Sequence, residues 1–343
     1  MMKKILITGP SLDPSVNVSG ISSVVMNIVA CDDFLFSHFQ VGKTDASGYG
    51  WRWIVAQFVA PFRLCFRQMS FKPDITHVNM PLNVLAMIRD GVIIILSWVF
   101  STQIIVHLHG GRHLKKEKSG WLLSIFVRSI FGLTDKIIVL SDNERVWLVT
   151  EFSIPNNKIV VIANAVNIPD TPIKRSKAKP VVFLFIGRIV ESKGVFLLEK
   201  AFEDLNYTRR NQFRFILGGT GPEVSQVVKG LSEILADSFS YVGVLNGARK
   251  EQAYIDSDFF VLPSLHGEGL PMALLEAMSY GLVPLTTDDG AMGDLVSEKT
   301  GFLVEKASVK ALSAMLEKAI STVEAGTYCQ LSYDSRALIS KKF

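Results

Sequence analysis

The sequence predicts an α/β protein of two doubly wound domains facing each other across a cleft. Three observations carry that expectation. Short apolar strands alternate with longer amphipathic stretches, the pattern of parallel sheets covered by helices. The alternation breaks once, at the proline-bearing, basic segment IPDTPIKRSKAKP (168–180), which reads as an interdomain linker. The chain of 343 residues also exceeds what one hydrophobic core usually supports.

Taken in order, the first half offers strands at KKILITG (3–9), DITHVNM (74–80), QIIVHLH (103–109), DKIIVLS (135–141) and KIVVIAN (158–164). The second half resumes with VVFLFIG (181–187), FRFILGG (213–219), SFSYVGV (238–244), DFFVLPS (258–264) and LVPLTTD (282–288). These divide the chain into a first domain at 1–167, the linker at 168–180, a second domain at 181–325, and a tail at 326–343 free to pack back towards the first domain. Ligands are expected at the carboxyl ends of the strands.

Composition excludes several classes. With 48% apolar and 20% charged residues the chain has ample core and is not disordered. Cys31, Cys65 and Cys329 are scattered without CxxC spacing, so neither a disulfide framework nor a zinc site is indicated, and a reducing compartment is expected. The start MMKKILITGP is too poor in apolar residues for a signal-peptide core, which predicts a cytoplasmic protein. Residues 1–175 hold 18 Lys and Arg against 12 Asp and Glu, and the remainder holds 18 against 20, so the basic excess belongs to the first half.

Two apolar stretches in that half bear on membranes. WRWIVAQFVAPFRLCFRQMSFK (51–72) mixes Trp51, Trp53, Phe58, Phe62 and Phe66 with Arg52, Arg63, Arg67 and Lys72 and contains no acid. It reads equally as a surface helix for anionic membranes or as a core helix whose basic residues snorkel into water. GVIIILSWVFSTQIIV (91–106) is interrupted by Ser97, Ser101, Thr102 and Gln103 and falls short of the ~20 residues that cross a bilayer. A buried helix followed by a strand is expected there.

The segment EGLPMALLEAM (268–278) carries two glutamates eight positions apart. Pro271 suits a first helical turn, MALLEAMSY is strongly helix-forming and Gly281 suits the C′ position, so a helix over about 271–280 is expected. On one continuous helix the two acids would stand ~12 Å apart, beyond the ~5 to 9.5 Å of paired glycosidase carboxylates. Glu268 then lies at the mouth of a helix N-terminus, itself an anion site, with Glu276 one or two turns in. The plain alternative makes Glu276 an exposed helix residue and Glu268 a partner of the helix dipole.

Glycine-marked strand ends add to this. FIGRIVESKG (185–194) ends a strand at Gly187 and presents Arg188 and Lys193 on a loop, where a guanidinium and an ammonium could clamp a diphosphate. LGGTGPE (217–223) ends another strand with Gly219 and Gly221 before a helix, letting backbone approach a ligand closely. Neither matches the GxGxxG dinucleotide fingerprint or the GxxxxGK[ST] phosphate loop.

In this order the residues resemble the retaining glycosyltransferases of family 4, which have the GT-B fold of two Rossmann-like domains. The resemblance covers most of the chain. It includes GISSVV (20–25) at the family's glycine-rich first loop, HLHGG (107–111) at its histidine loop, NAVN (164–167), GRIVESKG and GGTGPE. Most specific is PSLHGEGLPMALLEAMSYGLVPLTT (263–287), which looks like the family's E-x7-E region. The resemblance implies an acceptor-binding first domain and a nucleotide-sugar-binding second domain. It implies that Glu268 touches the donor sugar, that Glu276 binds the ribose, and that Arg188 and Lys193 hold the diphosphate. Gly20, Gly187, Gly219, Gly221, Gly269 and Leu270 would line the donor. His109 is the choice for the family's histidine near the donor sugar, with His107 and His113 as the other candidates. The first loop departs from the family's paired glycines, offering Ser19 and Gly20.

The implied activity is metal-independent, retaining hexosyl transfer from a nucleotide diphosphate sugar, UDP-linked by preference. The basic aromatic first half suggests a lipid-linked saccharide acceptor, as in assembly of a bacterial surface polysaccharide at the inner face of the cytoplasmic membrane, with peripheral contact to anionic lipid. No cofactor and no nucleic acid are expected. DSD (256–258) could bind a metal through its carboxylates, but it precedes its strand, at the wrong end for a cleft site. Asp288 and Asp289 follow a strand and have no assigned role. The rivals are a nicotinamide-dependent oxidoreductase, opposed by the missing GxGxxG, and an inactive sugar-binding homologue.

Overall fold

A computed structural model describes residues 2–13, 17, 19–42, 51–110, 121–170 and 180–343, without the side chains of 52, 53 and 121–123. Most of the expected linker, together with Gly111 and His113, lies outside the described residues. The chain divides into two compact units, one ending at Asn164 and the other beginning at Ala165.

The first unit runs β1 (Lys4–Gly9), α1 (Gly20–Val29), β2 (Leu35–Gln40), α2 (Trp51–Phe71), β3 (Ile75–Pro81), α3 (Val84–Val99), β4 (Gln103–His109), α4 (Trp121–Gly132), β5 (Lys136–Val139), α5 (Asp142–Phe152) and β6 (Ile159–Val161). Its strands form one sheet in the order β2-β1-β3-β4-β5-β6, with parallel pairing throughout. Interior strands covered on both faces need continuous apolar runs, and Leu6, Ile7, Val78, Ile104, Val106, Ile137 and Val139 are all buried. Helix starts are fixed by side-chain caps: Asn83 accepts from the Ala86 N–H and Ser141 from the Glu144 N–H. From β1 the chain steps to β2 and then crosses back to β3, so the switch point lies at the carboxyl ends of β1 and β3.

The second unit repeats the plan with β7 (Val181–Ile186), α6 (Val195–Arg209), β8 (Phe213–Gly218), α7 (Val224–Leu235), β9 (Phe239–Gly243), α8 (Gly247–Asp256), β10 (Phe259–Leu262), α9 (Met272–Ser279), β11 (Val283–Thr287), β12 (Phe302–Val304), α10 (Val309–Glu324) and α11 (Tyr328–Lys342). The sheet order is β12-β11-β10-β7-β8-β9, again parallel. Its switch point falls between β7 and β10. Phe183, Phe202, Phe213, Phe215 and Phe259 interlock in its core. The segment 326–343 packs on its own unit, where Ser335 Oγ donates to the Leu282 carbonyl at 2.8 Å and Arg336 to the Ser279 carbonyl at 2.9 Å.

Two apolar segments differ from expectation. α3 buries Met87, Ile93 and Ile94 but leaves Leu85, Ile88, Val92, Ile95 and Val99 exposed, so it is not a wholly buried helix. On α2, Leu64 and Gln68 face the core, whereas Phe58, Phe62 and Phe66 are 74%, 77% and 70% exposed. Phe58, Phe62 and Phe66 are therefore not on the core-facing side of that helix. Among the described residues no helix is long and apolar enough to cross a membrane.

Candidate functional site

In the second unit two of the predicted residues, Lys193 and Glu268, meet where the loops after β7 and β10 leave the switch point. Lys193 and Glu268 form an ion pair through Nζ and Oε1, with the glutamate only 5% exposed. Ser264 Oγ donates to the same carboxylate oxygen at 2.5 Å. The Glu268 N–H donates to Asp289 Oδ2 at 2.8 Å, and Lys306 Nζ meets Asp289 Oδ1 at 2.5 Å. Asp289 is itself buried. The loop carrying Glu268 is thus held from below by a second acid–lysine pair.

Backbone geometry locks these loops together. Gly194 has φ +73°, and a Cβ there would lie 2.2 Å from the Pro263 carbonyl oxygen. The Leu265 N–H donates to the Ser192 carbonyl at 2.8 Å, so the Lys193 loop and the 263–265 loop are stitched edge to edge. Gly290 approaches the Glu268 carbonyl oxygen as closely, at 2.3 Å from a notional Cβ. The Ala291 N–H donates to the Gly269 carbonyl at 2.8 Å, beside buried Leu270. Gly267, with φ +93°, faces open space next to Glu268.

Gly219 and Gly221 acquire a physical reason different from ligand approach. A Cβ at Gly219 would stand 1.8 Å from the Gly187 carbonyl oxygen, and one at Gly221 would stand 2.1 Å from that of Ile189. The Ile189 N–H donates to the Thr220 carbonyl at 2.9 Å. These glycines therefore let the loop after β8 lie against the loop that presents exposed Arg188. Gly187 itself meets only the Phe185 ring, at 3.6 Å.

Glu276 is not a solvated ornament of α9. Its Oε2 accepts from Tyr254 Oη at 2.7 Å and pairs with Lys250 Nζ at 2.5 Å, tying α9 to α8. Burial, and then the Glu276 charge, push the Tyr254 hydroxyl well above its ordinary range. Pro271 precedes α9 and Gly281 follows it at φ +78°, as the sequence predicts.

Asp258, the strand-proximal member of the DSD motif, is engaged with backbone. Its Oδ2 accepts from the Val182 N–H at 2.9 Å at the amino end of the sheet, which is a structural role. Asp256 ends α8 and is exposed.

In the first unit three histidines stack across β3 and β4. His77 on β3 and His107 on β4 lie with ring centroids 5.7 Å apart, and His107 lies 4.2 Å from His109. His109 Nε2 meets Asn79 Oδ1 at 2.7 Å, and Asn79 Nδ2 donates to the Thr8 carbonyl at 2.8 Å, across from β3 to β1. The alternation of parallel strands sets all four side chains on one face, with Asn79 paired to His107 and Pro81 to His109. Gly20 opens α1, the helix after β1, and is exposed, with Ser19 as N-cap.

Burial lowers the His77 imidazole to about 4 and, with help from His77, lowers His109 to about 3. Burial also holds His107 well below its usual range. All three are neutral near pH 7. The unfolded chain takes a proton on His77 near 6.5 and the folded chain near 4, so the stability its neutral ring contributes is complete above pH 6.5 and is lost as pH falls towards 4. Glu144, raised to about 7 mainly by burial, works in the opposite direction, gaining stability as pH falls. A His77→Phe comparison isolates the first effect: the difference in unfolding free energy should move towards the variant by up to about 1.4 kcal/mol per pH unit below 6.5. Urea unfolding at several pH values measures it, and a pH-independent difference would remove His77 from the account.

The family model Glycosyltransferase Family 4 matches residues 34–169, and the model Glycosyl transferases group 1 matches residues 169–329. The chain belongs to the group 1 glycosyltransferases. Among curated relatives of this group 1 chain, the O-antigen biosynthesis glycosyltransferase WbnH of Escherichia coli is 28% identical over 198 residues, 58% of this chain and 53% of that protein. The glycogen synthase of Vibrio atlanticus is 29% identical over 147 residues, 40% of this chain and 30% of that protein. The chain therefore spans about half or less of the length of these relatives. Among solved structures, a sucrose-phosphate synthase from Thermosynechococcus elongatus superposes with a TM-score of 0.75 at 17% identity, covering 99% of this chain and 95% of that one. Anabaena HepE in complex with UDP-glucose gives 0.73, also at 17% identity and the same coverage. These likenesses establish the GT-B fold for the group 1 chain. Family membership sets aside the oxidoreductase reading.

Sequence reasoning missed Ser264, Asp289, Lys306, Lys250 and Tyr254. A signal existed for Asp289, an acid just past a strand end, but its partners, the Glu268 N–H and Lys306, are ones that no spacing rule reveals.

Proposed function

We propose that the protein is a retaining, metal-independent glycosyltransferase that moves a hexosyl group from a UDP-sugar to a lipid-linked saccharide in bacterial surface polysaccharide assembly. The observation that carries this reading is the ion pair of Lys193 with buried Glu268 at the switch point of the second unit, on the loop after β7 that also carries Arg188. WbnH, named for O-antigen biosynthesis, and HepE, solved with UDP-glucose, support the substrate classes.

In this reading Lys193 and Arg188 meet the charge that grows on the diphosphate as the sugar–phosphate bond breaks, so the role of a metal is already filled. The electron pair of that bond leaves on the phosphate oxygen. The acceptor hydroxyl attacks the same face of the sugar, and its proton passes to the departing phosphate, so no protein nucleophile is needed. Glu268 orients the sugar hydroxyls and Glu276 the ribose. His109, neutral at physiological pH, acts there through hydrogen bonding and not as a charged acid.

Glu268→Gln should lower turnover at least a hundredfold while changing UDP affinity little. Glu276→Gln should weaken UDP binding about tenfold, the scale of one charge-assisted hydrogen bond. Calorimetry and donor hydrolysis separate the two, and unchanged behaviour in both variants would sink the assignment. Loss of activity on chelation with recovery on added Mg or Mn would overturn metal independence. Absence of even slow donor hydrolysis across a panel of nucleotide sugars would favour an inactive homologue.

A further inference from the structure

The outward faces of α2 and α3 are unlike ordinary solvent-facing helix surfaces. On α3, Leu85, Ile88, Val92, Ile95 and Val99 recur every three or four residues and are all exposed, although the opposite side of the same helix is core. A helix that is apolar on all sides is ordinarily covered on all sides. α2, which packs against α3, repeats the pattern with Phe58, Phe62 and Phe66. Exposed apolar surface this continuous marks a contact site.

Between the two helices runs a groove of about 750 Å3, within the range of small-molecule sites. Ile54, Phe58 and Leu64 wall it on one side, and Leu85, Val92 and Leu96 on the other. Its lining continues to Val41 and Gly42, just past β2, and to Pro81 and Asn83 at the end of β3. Those strand ends flank β1, so the groove leads from the apolar flank to the carboxyl edge where doubly wound sheets bind ligands. Two guanidinium groups reach it. Arg89 is held by both oxygens of buried Asp90 at 2.7 and 2.8 Å, and Arg63 lies over the Phe39 ring at 5.8 Å from its centroid. Residues 51–72 contribute no acid to this wall.

An apolar channel with cations along it and a ligand-binding edge at one end fits one kind of occupant. We propose that the groove holds the hydrocarbon chain of a single lipid phosphate, with the chain between α2 and α3, the phosphate beside Arg63 and Arg89, and the attached saccharide at the carboxyl edge. This rests on the reading of a lipid-linked acceptor and adds where on the protein the lipid lies. It differs from surface adhesion, which needs only the exposed residues away from the groove, such as Phe62, Phe66, Ile95 and Val99.

Alkyl phosphates of increasing length, kept below their micelle concentrations, test it with the full chain. Affinity should rise by up to roughly fourfold per methylene until the groove is filled, and inorganic phosphate alone should bind far more weakly. Ala60→Trp, which fills the groove from α2, should weaken octyl phosphate binding at least tenfold and leave flotation with anionic vesicles intact. Phe66→Glu, on the outward stripe and away from the groove lining, should do the reverse. Should Ala60→Trp fail to fold, maleimide labelling of Ile88→Cys serves instead: octyl phosphate should slow it, and should not slow labelling of Phe66→Cys. Affinity independent of chain length, wild-type octyl phosphate binding by folded Ala60→Trp, or protection of Ile88→Cys by self-association alone would each overturn the groove assignment. Chain-length-dependent binding without any vesicle flotation would overturn the membrane reading while upholding the groove.

Discussion

Replacing Lys193 by methionine is expected to cost about 3 kcal/mol of stability and to reduce turnover by roughly 10² to 10³, because two roles are lost together. The stability loss follows from the pair's geometry. Glu268 is 5% exposed and Lys193 24%, so removing the ammonium leaves a buried carboxylate without the cation it pairs with. Ser264 still donates to it, but one neutral hydrogen bond does not replace a charge. For a unit of this size the loss corresponds to a drop in melting temperature of about 6 to 12 °C. The loss of turnover follows from the cation's proposed place at the leaving diphosphate. Adding Glu268→Gln to the methionine variant removes the stranded charge, so the double variant should recover most of the stability and none of the activity. Thermal unfolding of the four proteins of that cycle gives the coupling energy directly. Additive single effects would mean that the pair does not act as a unit.

The sequence made the architecture legible because parallel strands buried on both faces are written as short unbroken apolar runs. The expected strands 103–109 and 181–187 correspond to Gln103–His109 and Val181–Ile186. β2 and β12 escaped notice. Both are edge strands, covered by a neighbour on one side only, and Leu35 and Leu303 are exposed, so the apolar run that identifies an interior strand is broken. The E-x7-E segment located the acids, yet the partners that hold them come from other loops: Lys193 lies 75 residues from Glu268, and Lys250 pairs across to Glu276 from α8. Such meetings are set by sheet order, which local periodicity does not encode. Glycines were legible as close approaches but not as approaches to what, since Gly219 makes room for a carbonyl of the neighbouring loop. On α3 a run of isoleucines signalled burial, and one side of it is exposed instead. An apolar pattern records that a face avoids water, not that the same chain covers it.

Asp289→Ala should be as damaging as any change at the acids the E-x7-E segment advertises, although Asp289 has no place in that motif. The carboxylate accepts from the Glu268 N–H with one oxygen and from Lys306 with the other, and it is buried. Alanine leaves a buried N–H without its acceptor and an ammonium without its anion, a loss of about 3 to 5 kcal/mol by analogy with other broken buried pairs. Gly290 and the Ala291 N–H still press the Glu268–Gly269 backbone from the same side, so the loop should shift without unravelling. Because the side chain touches Glu268 and not the proposed substrate, its removal should act on turnover through the position of that glutamate. UDP affinity, which rests on other residues in the proposed reading, should change by less than threefold. Asp289→Asn keeps an acceptor for the Glu268 N–H while giving up the charge, and should restore much of the turnover but only part of the melting temperature. A structural role alone would lower stability in proportion for both variants and leave turnover per folded molecule unchanged, and that result would remove Asp289 from the catalytic account.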